Sequence, residues 1–256
     1  MNVPPPSARP PAAFPTTYDA GLVEESVLLA ERRLPPAEAA AFRAERDRIY
    51  EVDVPDERED RFEELHGRLF LRLGLDRPLH EALAEREALL VCSRGCRVLR
   101  AASPSEEAAD VRRELDAPPE ATPTIVIHLR PRSLLEPHAL RTLLRRELLH
   151  VADMLDPAFG YVREPFRVDP DPAASNLVRD RYRVVWDASV DGRLWREGFL
   201  GPRARADRRR DFTRAFRILE DRTEAAFAEW FDGPRPTHAA ILAFARAQRQ
   251  RESPTG

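Results

Sequence analysis

The sequence predicts a mainly helical α+β fold, in which a small mixed or antiparallel sheet packs on one long helix. The most strand-like segment is TIVIHL, residues 124–129, a short run of β-branched and apolar residues. Directly after it, apolar residues recur at spacings of three and four and form one helical face: Leu140, Leu144, Leu148, Val151 and Leu155. A buried strand followed by an amphipathic helix is therefore the predicted centre of the fold.

The chain before this centre divides into a tail and a helical part. Residues 1–18 are rich in proline and poor in bulky apolar residues, which predicts a disordered tail or an extended arm. Residues 19–87 carry helical patterns. One of these begins at Pro35 and Pro36, and another ends at Gly74, a residue that suits the position after a helix.

The strand signals lie in residues 88–129. Two strands, residues 88–92 and 96–101, are predicted around a Ser-Arg-Gly turn at residues 93–95. This hairpin is expected to join the strand at residues 124–129 in the sheet.

Two motif-bearing helices are predicted in residues 134–198. The first begins near Pro137 and ends before Pro157, because proline is tolerated in a first helical turn but not in a helix interior. The second covers residues 175–190 and is expected to stop near Gly192.

Closing helices are predicted in residues 205–249, and residues 251–256 form a second tail. The basic run RARADRRR at residues 203–210 is interpreted as a solvated helix start. Together these elements predict one domain over residues 19–250.

The predicted first motif helix carries charged residues on the face opposite its apolar stripe. Arg146, His150 and Asp153 follow one another at i, i+4 and i+7, and Glu147 lies beside them. The letters RELLH at residues 146–150 match the zinc-peptidase motif HExxH except at the first position. In that motif, two imidazoles one turn apart chelate zinc, and the glutamate deprotonates the metal-bound water.

The segment from residue 124 to residue 194 resembles the zincin group of metallopeptidases, and in particular its gluzin branch. In gluzins the next helix supplies the third zinc ligand, and an acid one turn later orients an imidazole. Asp187 and Asp191 match that layout, with aspartate where gluzins usually have glutamate. Asp153 is the competing candidate for the third ligand. The resemblance also implies that a peptide substrate pairs with the sheet edge, a role it gives to the strand at residues 124–129.

Arg146 stands where the motif needs its first imidazole. A guanidinium stays protonated and has no lone pair to give a metal, so Arg146 cannot act as a ligand. We expect it to pair with Asp187, Asp153 or Glu147 instead. Zinc is therefore expected to have been lost, and the alternative is a rearranged zinc site made by His150, Asp187 and Asp153.

Each candidate residue also has a plain structural interpretation. Arg146 and Glu147 fit solvated positions on a helix surface, and His150 fits a hydrogen-bonded structural histidine. Two further residues are minor site candidates. Tyr161 is either an oxyanion contact or an anchoring aromatic, and His128 either faces the motif helix or is a structural histidine.

A second Glu-x-x-His pair is formed by Glu63 and His66. Two such pairs, here with Glu147 and His150, are also found in carboxylate-bridged di-iron bundles. The strand signals between the two pairs argue against that fold.

Three functional hypotheses follow. The first is a zincin-like protein with a degenerate metal site and a non-catalytic binding or regulatory role. The second is an active zinc-dependent peptidase, a hydrolase with Glu147 as general base. The third is a helical scaffold that recruits partners through its proline-rich arm. All three predict a peptide or protein partner.

Composition narrows the class of partner. The net charge is −3 and all 41 basic residues are arginine, which argues against a nucleic-acid protein and is typical of a GC-rich bacterial genome. The sequence has no signal-peptide pattern and no apolar run of membrane-spanning length. Cys92 and Cys96 are interpreted as reduced thiols. The expected location is the cytoplasm, without a membrane partner.

Overall fold

The structure, a computed structural model, describes residues 14–113, 118, 121–163 and 172–250. The described residues contain the helices α1 (Ala20–Glu31), α2 (Pro36–Ile49), α3 (Pro55–Arg72), α4 (Arg77–Ala84), α5 (Glu87–Cys92), α6 (Pro131–Leu134), α7 (Pro137–Leu155), α8 (Pro172–Arg196), α9 (Pro202–Ala215), α10 (Thr223–Asp232) and α11 (His238–Gln250). One sheet is made by β1 (Thr16–Tyr18), β2 (Cys96–Arg100), β3 (Ala108–Arg112) and β4 (Thr124–Leu129). This confirms the prediction of a mainly helical α+β fold with a small mixed sheet.

The order of strands in the sheet is β1-β2-β4-β3. The β1 and β2 strands are parallel, as are β2 and β4, whereas β3 runs antiparallel to β4. The apolar TIVIHL segment is therefore an inner strand, which explains why most of its side chains are buried. The prediction that residues 124–129 form a sheet edge is wrong, and the edges are β1 and β3.

The predicted hairpin around residues 93–95 is also wrong. Residues 88–92 belong to α5, and residues 93–95 lead from that helix into β2, which pairs in parallel with both of its neighbours. A short apolar run has no periodicity that separates a strand from a helix turn. Glycine at position 95 allows the backbone to approach Pro15 closely, because a Cβ there would lie 2.8 Å from the Pro15 carbonyl oxygen. It is not needed for a positive φ.

The proline-rich tail is shorter than predicted. Thr16–Tyr18 forms β1, with Thr16 opposite Cys96 and Tyr18 opposite Val98. Sequence pattern missed this strand because three residues carry too little periodicity. The remainder of the predicted tail, residues 1–13, lies outside the described residues, as do the residues 251–256.

The α7 helix follows β4 through the short α6 and has the predicted apolar face. Leu140, Leu144, Leu148 and Val151 are fully buried in a cluster with the sheet and the N-terminal helices. Burial of each such side chain stabilises the fold by about 1.5–3 kcal/mol. This packing fixes the orientation of α7, so that its opposite face points towards α8.

The C-terminal helices surround a second hydrophobic cluster, to which α7 contributes Leu149. The α8 helix runs to Arg196 and does not stop near Gly192 as predicted. A Cβ at Gly192 would lie only 1.8 Å from the Phe231 carbonyl oxygen, so this glycine allows α10 to pack closely on α8. Within the described residues, no helix combines the length and the apolar character that crossing a membrane requires.

Candidate functional site

A cleft of about 700 Å³ opens beside the edge strand β3, between α7 and α8. Its lining includes Ala109 of the strand, Glu147 and His150 of α7, and Asp187 of α8. The antiparallel edge strand, the motif helix and the acid-bearing helix therefore meet at one place.

Arg146 makes a two-point ion pair with Asp191 next to the cleft-lining residues, although neither residue lines the cleft itself. Its Nε donates to Oδ1 of Asp191 at 2.7 Å, and its Nη2 donates to Oδ2 at 3.1 Å. The Asp191 carboxylate is almost completely buried, with 1% of its side chain exposed. The interpretation of Arg146 as a solvated surface residue is wrong. The prediction that it pairs with Asp187, Asp153 or Glu147 is wrong as well, because its acidic partner is Asp191.

Arg208, on α9, is a second cation in the network. Its Nε donates to Asp191 Oδ2 at 3.0 Å and its Nη1 donates to Asp187 Oδ2 at 3.1 Å. Sequence analysis missed this residue, because it lies in the basic run interpreted as a solvated helix start. One signal for it was available in the sequence. Phe212 lies one turn after Arg208 on α9 and is fully buried, so the face of α9 that carries both residues packs onto α8.

His150 contacts Asp187 through Nε2, which lies 3.1 Å from Oδ1. Its ring meets the Trp186 ring edge-on, with centroids 4.5 Å apart. The other ring nitrogen, Nδ1, is buried and has no hydrogen-bond partner among the described residues. The pairs 146–191 and 150–187 thus align two residues of α7 with two residues of α8, one turn apart on each helix.

Two acids that line the cleft, Asp187 and Glu147, have pKa values shifted in opposite directions. Burial opposes the charge of Asp187, but the hydrogen bond with His150 and the Arg208 guanidinium outweigh it and hold the pKa of Asp187 below its ordinary value. Burial raises the pKa of Glu147, and the nearby His150 and a hydrogen bond from the Ala109 amide only partly offset this. Glu147 is therefore not a solvated helix residue.

Glu147 also connects the motif helix to the edge strand. The backbone N–H of Ala109 donates to Glu147 Oε2 at 3.0 Å. Further along β3, Arg163 donates to the Val111 carbonyl and makes two hydrogen bonds with Asp110, at 2.8 and 3.1 Å. Polar groups of the edge strand are thus occupied by side chains of this chain.

Asp153 is turned away from the cleft. Both Nη atoms of Arg193 donate to it, Arg235 Nε lies 2.9 Å away, and Trp186 Nε1 donates at 2.8 Å. Its side chain is 1% exposed, so these donors satisfy a buried charge. The structure does not bring Asp153 together with His150 as a metal ligand, because Asp153 does not line the cleft and its carboxylate is held by Arg193, Arg235 and Trp186.

The two minor candidates have different positions. Tyr161 lines the cleft, with its ring centroid 5.7 Å from that of Trp186, and burial raises its pKa. His128 is half-buried on β4, where it lies between Leu99 and Ala108 of the neighbouring strands and does not line the cleft.

The donor set in the cleft does not fit a three-ligand zinc site as it is arranged. Among the described residues, no group of three or more His, Cys, Asp or Glu side chains is placed to hold one metal ion. The donors at the motif are His150 and Asp187, and the latter already pairs with Arg208. The two Glu-x-x-His pairs of the di-iron alternative do not lie together either, because Glu63 and His66 line a separate cavity.

Comparisons with protein-family models, with curated proteins and with solved structures find no match to this chain.

Proposed function

We propose that this protein has a zincin-like fold with a degenerate metal site, and that it binds an extended peptide segment of a partner without cleaving it. The observation that carries the proposal is the network in which Arg146 and Arg208 hold Asp187 and Asp191.

The layout of the network supports the zincin-like part. In the gluzin pattern, the helix after the motif supplies the third ligand, and an acid one turn later orients an imidazole. Asp187 contacts His150, and Asp191 contacts the residue at the first imidazole position, Arg146. The partner positions of the motif are therefore retained although one residue type has changed.

The charge of the network supports loss of the metal. Two guanidinium groups supply two positive charges beside two carboxylates, which is the charge that a zinc ion would bring. Arg146 offers no lone pair, and Arg208 occupies one oxygen of Asp187. Two arginines thus neutralise the acids that a metal would otherwise neutralise.

The edge strand supports peptide binding. In zincins a peptide substrate pairs with the sheet edge, and the edge at this cleft is β3. Its Ala109 amide and Val111 carbonyl already form hydrogen bonds with side chains, so both groups face the cleft side of the strand. A peptide backbone can exchange with those side chains and add a strand to the sheet.

The decisive experiment restores the chelate and measures zinc by mass spectrometry after loading and buffer exchange. The parent protein and a control Arg141→His, on the same helix but paired with the surface residue Glu81, are expected to retain no zinc. The double variant Arg146→His/Arg208→Gln is expected to retain about one zinc per chain, because it gains an imidazole and frees Asp187. A parent protein that binds one zinc and loses it on His150→Ala contradicts the proposal.

An active zinc peptidase is the second candidate, and one distance favours it. His150 Nε2 and Asp187 Oδ1 are 3.1 Å apart, close to the separation of about 3.3 Å between two ligands on a tetrahedral zinc with bonds of about 2.0 Å. Glu147 lines the same cleft as the general base of that alternative. Chelator-sensitive cleavage of unfolded peptides by the parent protein, abolished in Glu147→Gln, is the result that selects it. The proposed location for either function is the cytoplasm.

A further inference from the structure

A groove follows α3 at the opposite edge of the sheet from the cleft. It has a volume of about 790 Å³, and its walls come from β1, α1 and α3. The α3 residues that line it extend from Pro55 to Leu71, which is about 24 Å along a helix. The groove shares no lining residue with the cleft, so its chemistry is independent of the zincin-like motif.

The groove presents apolar side chains to solvent. Leu71 is 59% exposed, and Phe62 and Val23 are partly exposed. Tyr50, which is 63% exposed, extends this surface, because its ring lies 5.0 Å from that of Phe62. The floor is open at Gly67, where an added Cβ would meet nothing within 4 Å. An exposed apolar surface that continues along a helix in this way is typical of a binding site for another segment of chain.

The rim of the groove is acidic. Glu24, Glu59 and Glu63 are exposed lining residues, and none of them forms a salt bridge within the part of the chain that the structure describes. Glu59 and Glu63 are one helical turn apart and lie on the same side of α3. The arginine among the lining residues is Arg58, whose guanidinium donates to the Val52 carbonyl at 3.4 Å. The rim therefore suits an occupant that carries a cation and no acid.

The segment that precedes β1 has the matching composition. Residues 4–11 read PPPSARPP, with five prolines, one arginine and no acidic residue. They lie outside the described residues, which begin at Phe14. The Phe14 carbonyl accepts a hydrogen bond from Thr16 Oγ1, and Thr16 lines the groove. Pro11 is three residues from Phe14, a distance of at most about 10 Å, so the segment starts beside the groove.

The lengths of segment and groove also agree. Eight residues in the polyproline II conformation span about 25 Å, close to the length of α3 that lines the groove. The β1 strand meets α3 near the C-terminal end of that helix, where the Tyr18 and Phe70 rings lie 5.0 Å apart. A segment that follows α3 from this end places Arg9 about 6 Å beyond Pro11. Because Glu63 lies about 10 Å from Phe70 along the helix, Arg9 then reaches the acidic rim.

We infer that residues 4–11 bind in this groove of their own chain, with the prolines against the apolar side chains of α3 and the Arg9 guanidinium at Glu59 and Glu63. Aromatic-lined grooves recognise proline-rich segments in this way, because such segments lose little conformational entropy on binding. Attachment next to β1 raises the local concentration of the segment into the millimolar range. The groove is then closed to other proline-rich segments until its own segment is displaced.

The experiment measures the fluorescence anisotropy of a labelled peptide, NVPPPSARPPAA, on two full-length proteins. One is the parent. The other, the serine variant, keeps the length of the segment but removes its recognition groups through Pro4→Ser, Pro5→Ser, Pro6→Ser, Arg9→Ser, Pro10→Ser and Pro11→Ser. We expect the peptide to bind the serine variant with a Kd of about 0.1 mM and the parent about tenfold more weakly, because the attached segment competes at millimolar effective concentration.

Charge reversal in the serine variant tests the acidic rim. Glu59→Lys/Glu63→Lys is expected to weaken peptide binding about tenfold, and a peptide that carries Arg9→Glu should regain affinity for this protein. The control Asp60→Lys/Glu64→Lys makes the same charge change one residue further along α3, at exposed positions that do not line the groove. It should change Kd by less than about threefold. Rescue by the opposite charge identifies a direct contact, which a loss of fold cannot produce.

Four results would overturn the inference. The first is equal affinity of the peptide for the parent and the serine variant, and the second is absence of binding to the serine variant at millimolar concentration. The third is an equal loss of affinity in the two charge-reversed proteins, with circular dichroism showing that both are folded. The fourth is a dimer of the parent in sedimentation that the serine variant does not form, because the segment would then occupy the groove of a second copy.

Discussion

The Arg146 guanidinium donates to both oxygens of the Asp191 carboxylate and joins α7 to α8 through hydrogen bonds of 2.7 and 3.1 Å. Arg208 approaches the same carboxylate from α9, so three helices meet at one buried acid. Arg146 is therefore a structural link between these helices, and its removal should lower the stability of the protein.

Arg146→Leu is expected to lower the free energy of unfolding by about 2–4 kcal/mol, because it leaves a buried carboxylate with only one of its two cations. Urea unfolding measures this value. Arg141→Leu, on the same helix with only a surface partner, should change stability by less than about 1 kcal/mol. The double variant Arg146→Leu/Asp191→Leu should recover most of the loss, since no unpaired buried charge remains. A double variant as unstable as the single one would show that the ion pair is not the cause.

Asp153→Asn should destabilise the protein by about 3–5 kcal/mol even without any metal, because Arg193 and Arg235 both lose their buried counter-charge. The measurement is urea unfolding in the presence and absence of a chelator. If Asp153 were a zinc ligand, the chelator alone would destabilise the parent protein by most of this amount. Asp156→Asn, which removes the charge of a partly exposed partner of Arg235, is the matched control and should change stability far less than Asp153→Asn.

Two glycine variants should change stability in opposite directions. Gly192→Ala introduces a Cβ 1.8 Å from the Phe231 carbonyl oxygen, so α10 must shift, and a loss of about 1–3 kcal/mol is expected. Gly67→Ala, inside α3, meets nothing within 4 Å and should gain about 0.5–1 kcal/mol from reduced backbone entropy of the unfolded chain. Thermal or urea unfolding of both variants provides the comparison. A gain at Gly192 would contradict the close approach of α8 and α10.

The Glu147 carboxyl predicts a particular pH dependence. Its pKa is higher in the folded protein than its ordinary value of 4.5, so its favourable contribution is complete below pH 4.5 and is lost as pH rises through the folded pKa. Glu147→Gln should therefore gain stability relative to the parent as pH increases from 4.5 to neutrality. The difference in unfolding free energy between the two proteins, measured across this range, gives the sign. A difference that stays constant across this range would contradict a raised pKa of Glu147.

The part of the site that could be predicted from sequence is the part that local periodicity encodes. Residues 146, 147 and 150 on one helix, and 187 and 191 on the next, are related by helical spacing, and the structure brings the two sets together. Arg208 was missed because the basic run itself has no periodicity that shows which arginine turns inward. The signal for it lies outside that run, in the apolar Phe212 one turn later, which marks the face of α9 that packs on α8.

In the fold, too, the elements predicted from sequence are those with a distinctive local pattern. The amphipathic α7 and the apolar β4 are long enough for their patterns to be distinctive, and both were predicted correctly. The three-residue β1 and the six-residue α5 are too short for that, and their conformations depend on sheet pairing and tertiary packing. The strand order could not be derived from local pattern, because pairing of β2 with β1 and β4 joins residues far apart in sequence.

Peptide binding at the cleft should be limited by the side chains that already occupy β3. Arg163 donates to the Val111 carbonyl and pairs with Asp110, so an added strand must displace it. Arg163→Ala is expected to tighten binding of extended peptides about threefold to tenfold, since one hydrogen bond of about 0.5–1.5 kcal/mol no longer competes. An array of unfolded peptides, followed by fluorescence anisotropy on those that bind, measures the change.

Arg112→Ala is the matched control for this prediction. Arg112 Nε also lies 3.1 Å from Asp110, but the Val111 carbonyl contact belongs to Arg163. Removal of Arg112 therefore alters the charge around Asp110 to the same extent while leaving the edge carbonyl occupied, and peptide affinity should stay within about twofold of the parent. Equal effects of the two variants would mean that charge, and not access to the strand edge, controls binding. Weaker binding in Arg163→Ala would mean that this arginine contacts the peptide itself, because a group that only blocks the edge cannot increase affinity by its presence.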